Sequence, residues 1–444
     1  MNVAAAIRNR TLPADLALYG LSAVFAAITA ATSTLLPHRA WGAVATAGYA
    51  LAAIAVGVQM VTGRSGTRGR TLIAAFAFAT TALLPMVVQA VQRADGRTDR
   101  AQEEVVVVEH GGERLLDHGT PYLSSDTIAT LPAGEQLLGY LPYQPGMALF
   151  GLPRALAGDA WWTDSRIWFA LVTIAALGLA VRLLERGPAL LRALQLSAVL
   201  PLVPLTLATG GDDVPVLALC LLALTLCTAR RYGAAGVAVG VAAALKLFAW
   251  PVVAVLLVLA LTAGRRPAAR LAAGAIGLPA AALLPAVLVD ANALVDNVIR
   301  FPLGEGVVTS PAQSPFPGYL IASNLPGGRA IAGALLAAAA VTIAVWLVRR
   351  PPRTAAAAAT ICGYGLLTAI LLMPSTRFGY LLYPVAFLAW VPALRRPAWV
   401  AAQRGTRLLS WPWAGRSARP PGTVPASPGH TRPTASPGPR SRST

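Results

Sequence analysis

Long apolar stretches, separated by short polar or arginine-rich segments, set the pattern of this chain. A helix needs about 20 mostly apolar residues to cross a hydrocarbon core of roughly 30 Å. Ten stretches approach or reach that length and predict membrane helices at 14–36, 40–62, 71–92, 164–184, 189–208, 214–229, 268–290, 329–348, 354–373 and 378–394.

A further apolar region, 233–263, is too long for one untilted helix and short for two. Arginine pairs flank it on both sides, and arginines mark the cytoplasmic side of a membrane protein. The region must therefore enter the membrane and return, as two short helices broken around Phe248–Pro251. The prediction is an all-α polytopic membrane protein of about twelve transmembrane helices, with large extracytoplasmic loops and both termini cytoplasmic.

Composition agrees with this assignment, since 56% of the residues are hydrophobic, 12% are charged and the mean hydropathy is +0.61. One soluble core could not hide so much apolar surface. Although the net charge is +18, almost every cation is an arginine in a loop or tail, so no nucleic-acid partner is expected. The first apolar run lacks a cleavage site and predicts a retained span.

The cysteines all fall inside apolar runs and are expected to be small core residues. His110 and His118 lie eight residues apart in a predicted solvated helix, which is a poor metal-ligand set. We therefore expect neither a metal nor a cofactor.

The acidic residues are segregated. Of the 18 Asp and Glu, only Asp15 and Glu185 fall outside the predicted extracytoplasmic segments. This predicts chemistry on the extracytoplasmic face, although a depletion of acids near cytoplasmic loops is an alternative explanation. Two outer segments, 93–163 and 290–328, are also too long to be simple connectors.

The first outer segment contains the candidate base. Glu103 and Glu104 directly precede the apolar run Val105–Val108, and a carboxylate held at the edge of such a run is partly desolvated. Partial desolvation makes a carboxylate a stronger base, so Glu104 is the first choice and Glu103 the second. Glu109 is a third candidate.

An acidic stripe follows in the same helix, because Glu109, Glu113 and Asp117 are spaced four residues apart. A solvated helix face is the favoured interpretation of this stripe. The turn Gly119–Tyr122 should end the helix.

Three tyrosines of the same outer segment, Tyr122, Tyr140 and Tyr143, could stack against a sugar. Aromatic residues at a membrane boundary are more often interface anchors, and this alternative is favoured. Asp212 and Asp213 sit in a tight outer turn, where one of them could be a helix N-cap.

Three cations interrupt the pattern of the outer face. Lys246 lies within an apolar segment, where it could bind a lipid phosphate or snorkel to the interface. Arg300 could bridge to Asp296 at i+4 or bind a phosphate, and Arg377 is the other outward arginine. Together, these cations could surround an anionic headgroup.

The order of several of these motifs resembles a known family, the polyprenyl-phosphate-mannose-dependent mannosyltransferases of glycosyltransferase family 87, of actinobacterial type, in the GT-C superfamily. The matching stretches lie within residues 70–395. They are the acidic start of the outer loop with its Gly-x-Pro-Tyr turn (Glu104 to Tyr122), Tyr140–Tyr143, Gly211–Val214, Gly236 through Lys246 to Pro251, Arg300–Gly304 with Ser310–Pro315, and Arg377–Pro384.

The resemblance implies an inverting transfer of a sugar, mannose in this family, from a polyprenyl-phosphate donor to a lipid or glycan acceptor on the extracytoplasmic face of the plasma membrane. Glu103 or Glu104 would take the position of the catalytic acid residue. Lys246, Arg300 and Arg377 would bind phosphate, and the tyrosines would line the sugar site.

Relative to that family, residues 1–70 are expected to be an added N-terminal helix pair and residues 71–395 a GT-C-like membrane core. An interfacial segment, 396–415, and a disordered cytoplasmic tail, 416–444, should follow. The alternatives are a secondary transporter or flippase, which also often has twelve spans, and a lipid-linked polysaccharide ligase or polymerase.

Overall fold

The structure is a computed structural model that describes residues 3–63 and 66–395, with the backbone alone for residues 3–10. The predicted interfacial segment 396–415 and tail 416–444 lie outside the described residues. The first half of the described chain contains ten α-helices: α1 Val3–Thr32, α2 Leu36–Val61, α3 Thr67–Phe78, α4 Leu84–Ala94, α5 Glu103–His118, α6 Ser125–Thr130, α7 Gln136–Gly139, α8 Leu152–Ala157, α9 Ser165–Leu183 and α10 Pro188–Leu194.

The second half of the described chain contains ten more helices: α11 Leu202–Thr209, α12 Asp213–Thr228, α13 Tyr232–Leu245, α14 Trp250–Ala263, α15 Arg265–Val295, α16 Phe301–Leu303, α17 Pro317–Asn324, α18 Gly328–Arg349, α19 Ala355–Leu372 and α20 Leu382–Leu394. The α15 helix is interrupted at Asp290, whose φ of −157° and ψ of 95° are not helical. Asp290 Oδ1 accepts the Ala293 N–H at 2.9 Å, so it caps the piece that follows.

Seven helices of the described chain are long and apolar enough to cross a membrane: Thr11–Thr32, Leu36–Val61, Thr67–Ala94, Ser165–Leu183, Arg265–Leu303, Gly328–Arg349 and Ala355–Leu372. A pair bent by 42°, Pro188–Val199 with Leu202–Thr209, could supply an eighth. The all-α, multi-pass prediction is confirmed. The count of twelve stays a prediction, because the remaining apolar helices Asp213–Thr228, Tyr232–Leu245, Leu247–Ala263 and Phe378–Leu394 have 10–17 residues each.

The predicted break in region 233–263 is present. Helix α13 ends at Leu245, Lys246 is extended at φ −154° and ψ 143°, and a 3-10 turn over Leu247–Ala249 leads into α14. Pro251 at the start of α14 lacks the N–H that a continuous helix would need. The chain thus presents Lys246 and its neighbours at a helix break rather than inside a regular helix.

Small residues let α13 and α15 approach closely. A Cβ added at Gly274 would lie 2.6 Å from the carbonyl carbon of Gly236, and one added at Gly240 would collide with the carbonyl oxygen of Gly274. Glycines four residues apart on one helix are typical of tight helix pairs in membranes. This packing fixes α13, and hence the break that follows it, against the long α15.

A buried ionic cluster joins the N-terminal helices to the rest of the described chain. Asp15 of α1 pairs with Arg70 of α3 at 2.5 Å and with Arg192 of α10 at 2.8 Å. The Tyr49 hydroxyl of α2 donates to the Val199 carbonyl at 2.6 Å. The division between an added helix pair and a core at residue 70 stays a prediction. The Asp15–Arg192 and Tyr49–Val199 contacts join residues on the two sides of it.

Candidate active site

The N-terminus of α5 is fixed against the turn that follows α11. The Gln102 N–H donates to the Thr209 carbonyl at 2.9 Å, and the Thr209 hydroxyl donates to Gln102 Oε1, also at 2.9 Å. Val105 and Val108 are fully buried, as the apolar run predicted. Gly119, at a left-handed φ of 71°, ends α5 at the predicted turn. These restraints hold the backbone of α5 at Glu104 in place.

Glu104 is a buried carboxylate with one oxygen in use. Oε1 pairs with the guanidinium of Arg377. Oε2 is buried and has no hydrogen-bond partner among the residues that the structure describes. A Cβ added at Gly210 would lie 3.2 Å from Gln102 Oε1 and 3.5 Å from Glu104 Oε2, so the backbone of Gly210 packs close to that carboxylate oxygen. A buried, unpartnered acceptor is costly and calls for a ligand or water.

Arg377 is held by the second outer loop. The Ser314 N–H donates to the Thr376 carbonyl at 2.9 Å, and the Thr376 N–H donates to the Ala312 carbonyl at the same distance. The Phe378 N–H donates to the Ser314 hydroxyl at 2.9 Å. The backbone on both sides of Arg377 is thereby fixed, while 29% of its side chain stays exposed. Loops from two distant parts of the chain therefore meet at the Glu104–Arg377 pair.

Lys246 lies in a second buried ionic cluster. Its Nζ is 2.6 Å from Asp212 Oδ2 and 2.6 Å from Asp213 Oδ1. The side chain is 7% exposed, so the snorkelling alternative for Lys246 is wrong. Asp212 stands at the N-cap position of α12 but makes no cap hydrogen bond, so the N-cap explanation for it is also wrong.

Aromatic rings surround the Lys246 ammonium. Nζ lies 4.9 Å from the ring centre of Tyr143 and 5.5 Å from that of Tyr380, within the range of cation–π contacts. The Tyr383 hydroxyl donates to Asp213 Oδ1 at 2.8 Å. Phe248 packs on Tyr380 and Tyr383, with ring centres at 4.7 and 5.2 Å. Tyr380 follows Arg377 by one helical turn, so it lies between the two ionic clusters.

The three predicted tyrosines are buried, with exposures of 3% for Tyr122, 1% for Tyr140 and 6% for Tyr143. The interface-anchor interpretation is therefore wrong for them. Tyr122 donates to the Tyr143 carbonyl at 2.7 Å, and burial raises its pKa well above the usual range. Tyr140 stacks on Phe301 at 4.1 Å and accepts the Val307 N–H. Of the three, only the ring of Tyr143 contacts an ionic cluster of the site.

The structure separates the other two candidate bases from Glu104. Glu103 is exposed. Glu109 is 2% exposed, so the solvated-face interpretation is wrong for it, whereas Glu113 and Asp117 are exposed as predicted. Glu109 packs inward because Gly112 brings α5 against the backbone of Gly151.

Both oxygens of Glu109 are occupied. Arg93 donates to them at 2.8 and 2.5 Å, Arg154 lies 3.3 Å from Oε2, and the Ser165 N–H donates to Oε1 at 3.2 Å. Arg93 also bonds Asp164 at 3.1 Å. Burial alone would raise the pKa of Asp164, but the Arg166 guanidinium beside it holds that pKa well below its usual range. Glu109 is thus part of a structural ion-pair network with no oxygen left to accept a proton from substrate.

Arg300 forms the predicted i+4 bridge to Asp296 at 2.6 Å, and its side chain is 53% exposed. Asp296 also accepts the Ser125 hydroxyl at 2.8 Å, which links the two outer loops. In the described chain, Arg300 has no recorded side-chain contact with Lys246, Arg377 or Glu104. The three predicted phosphate-binding cations are therefore not one cluster: Lys246 and Arg377 flank Tyr380, and Arg300 is engaged elsewhere.

Sequence reasoning missed several residues that shape the site. Gln102 and Thr209 position α5, Gly210 lies beside the Glu104 carboxylate, and Tyr380 and Tyr383 enclose Lys246. No helical periodicity marked the tyrosines, because Arg377 is extended at φ −130° and ψ 145° and only the short 3-10 turn Phe378–Leu381 separates it from α20. Within residues 3–63 and 66–395, no group of three or more His, Cys, Asp or Glu is placed to hold a metal ion.

A comparison with protein families decides the class. The model of glycosyltransferase family 87 matches residues 140–374, which is more than half of the 444 residues. The chain belongs to glycosyltransferase family 87. The predicted family 87 is confirmed, whereas its mannose dependence and actinobacterial type stay predictions. The membership favours a glycosyltransferase over the transporter alternative.

Two solved structures are similar to this glycosyltransferase. The crystal structure of ArnT from Cupriavidus metallidurans bound to undecaprenyl phosphate matches with a TM-score of 0.42 and 17% identity, over 74% of this chain and 62% of ArnT. The apo state of the same protein matches with a TM-score of 0.40 and 16% identity, over 70% and 58%. The chain thus spans less than two thirds of ArnT. No curated protein matches it.

The family match covers only part of the candidate site. Tyr140, Tyr143, Lys246 and Arg300 lie inside the matched range together with the pair Asp212 and Asp213. Outside it lie Glu103, Glu104, Glu109, Tyr122 and Arg377. The evidence for Glu104 is therefore its geometry in this glycosyltransferase, not the family match.

Proposed function

We propose that this glycosyltransferase moves a sugar from a polyprenyl-phosphate donor to a hydroxyl group of a lipid or glycan acceptor, with inversion and with Glu104 as the general base. The observation that carries the proposal is the state of the Glu104 carboxylate. One oxygen is held by Arg377, and the other is buried and has no hydrogen-bond partner among the described residues. An acceptor hydroxyl bonded to Oε2 would satisfy it.

In the proposed reaction, Glu104 Oε2 takes the proton of the acceptor hydroxyl while the oxygen of that hydroxyl attacks the anomeric carbon of the donor. The bond from that carbon to the phosphate oxygen breaks, and its electron pair leaves with the polyprenyl phosphate. The phosphate gains negative charge as it leaves, so a cation that contacts it lowers the barrier. Direct displacement from the opposite side inverts the anomeric configuration.

Arg377 is the cation that we assign to the leaving phosphate. Its backbone is held by the second outer loop, and its side chain is partly exposed and pairs with the proposed base. A guanidinium binds phosphate through two parallel hydrogen bonds. Lys246 is less suited, because two carboxylates at 2.6 Å already pair with its ammonium. We assign Lys246, Asp212 and Asp213 to positioning Tyr143 and Tyr380 at the sugar site.

The lipid carrier suits a site enclosed by apolar helices, since an isoprenoid chain can lie in the bilayer while its phosphate reaches Arg377. Mannose as the sugar, and the extracytoplasmic face as its location, are the finer parts of the proposal. They rest on the motif resemblance and on the distribution of arginines and acids. A lipid-linked polysaccharide ligase would share this geometry and differ only in its substrates.

The test is transfer by purified, reconstituted protein from radiolabelled polyprenyl-phosphate-mannose to a membrane lipid extract. Wild type should transfer label, and Glu104→Gln should lose at least about 100-fold in rate, because a general base contributes roughly 10²–10⁴. Glu113→Gln is the matched control, since it changes an exposed carboxylate of the same helix and should stay within about twofold of wild type.

The outcomes separate the parts of the proposal. Undiminished transfer by Glu104→Gln would refute the base assignment, and a selective loss in Glu103→Gln would move the base by one residue. Transfer from polyprenyl-phosphate-glucose but not from the mannose donor would refute only the sugar. No transfer from any polyprenyl-phosphate sugar to any acceptor tried would refute the lipid-linked donor.

A further inference from the structure

A cavity lies in the first outer segment, away from the Glu104 site. Its volume is about 700 Å³, within the roughly 300–1,000 Å³ range of small-molecule sites. The end of α4, one face of α5, the α6–α7 connection and the segment after α8 form its walls. We name it the arginine cavity after four of its lining residues, Arg93, Arg97, Arg114 and Arg154.

The arginine cavity and the proposed base use different faces of α5. Val106, His110 and Arg114 line the cavity and recur every fourth residue, so they form one stripe along the helix. Glu104 precedes Val106 by two residues, which is about 200° around a helix. The proposed transfer reaction uses none of the stripe, so a ligand in this cavity would be additional to the donor and acceptor at Glu104.

Three of the four guanidinium groups are neutralised by carboxylates. Arg93 and Arg154 share Glu109, at 2.5 and 3.3 Å. Arg154 also pairs with Asp159 at 2.5 Å, and Arg97 pairs with Asp99 at 2.9 Å. Glu135 also lines the cavity but is exposed to solvent.

Arg114 is the exception. It donates to the carbonyls of Gly139 at 2.9 Å and Leu138 at 3.1 Å, and no carboxylate pairs with it within the described chain. Those two bonds leave other N–H groups of its five for a ligand. Burial lowers the pKa of Arg114. The exposed carboxylate of Glu113 acts on Arg114 electrostatically but forms no salt bridge with it, so the half-buried guanidinium can still be stabilised by an anion that reaches it.

His110 adds a second polar group beside Arg114 on the stripe. It is half-buried and lines the same cavity one helical turn away. An imidazole can donate one hydrogen bond even when neutral. Val106 supplies an apolar wall next to it. The stripe therefore offers a cation, a hydrogen-bond donor and an apolar contact.

We propose that the arginine cavity is a second binding site of this protein, which takes a phosphate group through Arg114 and His110. Phosphate fits because a guanidinium binds two of its oxygens at once, and Arg114 is in no salt bridge within the described chain. The phosphate could belong to a phosphorylated saccharide or to a lipid headgroup. The inference does not depend on the proposed transfer reaction.

The experiment is calorimetric titration of the full-length protein in detergent with two free probes, mannose 6-phosphate and inorganic pyrophosphate. Wild type should bind at least one of them saturably, and Arg114→Gln should weaken that binding at least tenfold. Arg329→Gln is the matched control, since Arg329 also donates to a carbonyl, Gly304 at 2.8 Å, and is exposed. It should bind within twofold of wild type.

Arg114→Gln also removes the hydrogen bonds from Arg114 to the carbonyls of Leu138 and Gly139, which we call the Arg114 clamp, so a second variant is needed that leaves them in place. His110→Asn keeps that clamp and should weaken binding two- to fivefold. Absence of saturable binding by wild type to either probe, or equal binding by Arg114→Gln, would overturn the proposal. Titration of the protein in lipid nanodiscs identifies where the bound phosphate group comes from. If the probe fails to bind in phosphatidylglycerol nanodiscs but still binds in phosphatidylcholine nanodiscs, the site takes a lipid headgroup.

Discussion

Two carboxylates of α5, Glu109 and Glu113, are equivalent in spacing and opposite in environment. Glu109 is buried within a network of two arginines and a backbone N–H, whereas Glu113 faces solvent. Removing a buried, hydrogen-bonded carboxylate costs more than removing an exposed one. The two residues therefore test whether the network is structural.

We expect Glu109→Gln to destabilise the protein by about 1–3 kcal/mol, because it removes the charged acceptor that Arg93 and Arg154 share. Each arginine keeps a second carboxylate, Asp164 for Arg93 and Asp159 for Arg154, so neither charge is left uncompensated. Glu113→Gln should change stability by less than about 0.5 kcal/mol. Unfolding of both variants in SDS or by heat, in the same detergent, is the measurement. An unfolding midpoint for Glu109→Gln equal to that of Glu113→Gln would show that the network contributes nothing.

The Lys246 cluster yields a prediction of the same kind. Lys246→Met leaves Asp212 and Asp213 buried together without their cation, so we expect a loss of about 3–5 kcal/mol. Asp213→Asn keeps the Lys246–Asp212 pair and should cost about 1 kcal/mol, the worth of one hydrogen bond. Thermal unfolding of the two variants compares them, and a greater loss in Asp213→Asn would contradict the assigned pairing.

At this scale, the sequence identified most of the ionised residues of the site but not their partners. An ionisable group in an apolar segment marks Lys246, and the edge of a valine run marks Glu104. Their partners, Asp212, Asp213 and Arg377, lie on other helices and loops, and a single sequence holds no information on such long-range contacts. For the same reason, spacing alone could not tell buried Glu109 from exposed Glu113.

Among the helices, the α13–α15 pair depends on backbone contact. We expect Gly240→Ala to destabilise the protein by about 1–3 kcal/mol, because the added methyl would meet the Gly274 carbonyl oxygen. Gly233→Ala is the matched control, because Gly233 lies on the same helix as Gly240 and a Cβ added there meets nothing within 4 Å. Heat denaturation in detergent should show Gly233→Ala unchanged or slightly stabilised. Equal tolerance at the two glycines would disprove the close packing.

Long helices were predictable, whereas the short helices of the outer loops were not. An apolar run of about 20 residues is a strong signal, and the break near Phe248 followed from arginine pairs on both sides of the run. The helices α6 Ser125–Thr130 and α7 Gln136–Gly139 have too few residues for a periodic pattern. Tertiary contacts stabilise these short helices. One example is the pair of hydrogen bonds that Arg114 donates to the carbonyls of Leu138 and Gly139.

For the whole molecule, the decisive unknown is which face of the membrane carries the Glu104–Arg377 pair. Arginines predict that the segment 93–163 is extracytoplasmic and that the α12–α13 connection is cytoplasmic. Asp126 in the first and Arg231 in the second are both exposed in the structure. A cysteine at either position would be accessible to reagent, so its labelling would report the side of the membrane and not burial.

We expect Asp126→Cys to react with a membrane-impermeant maleimide in intact cells, and Arg231→Cys to react only after permeabilisation. The native cysteines are buried, at 0% exposure for Cys220, 5% for Cys227 and 2% for Cys362, so the wild type is the control and should stay unlabelled. The reverse labelling pattern would invert the topology. Because Glu104 lies in the same outer segment as Asp126, inversion would also place the proposed base on the cytoplasmic side and refute an extracytoplasmic transfer.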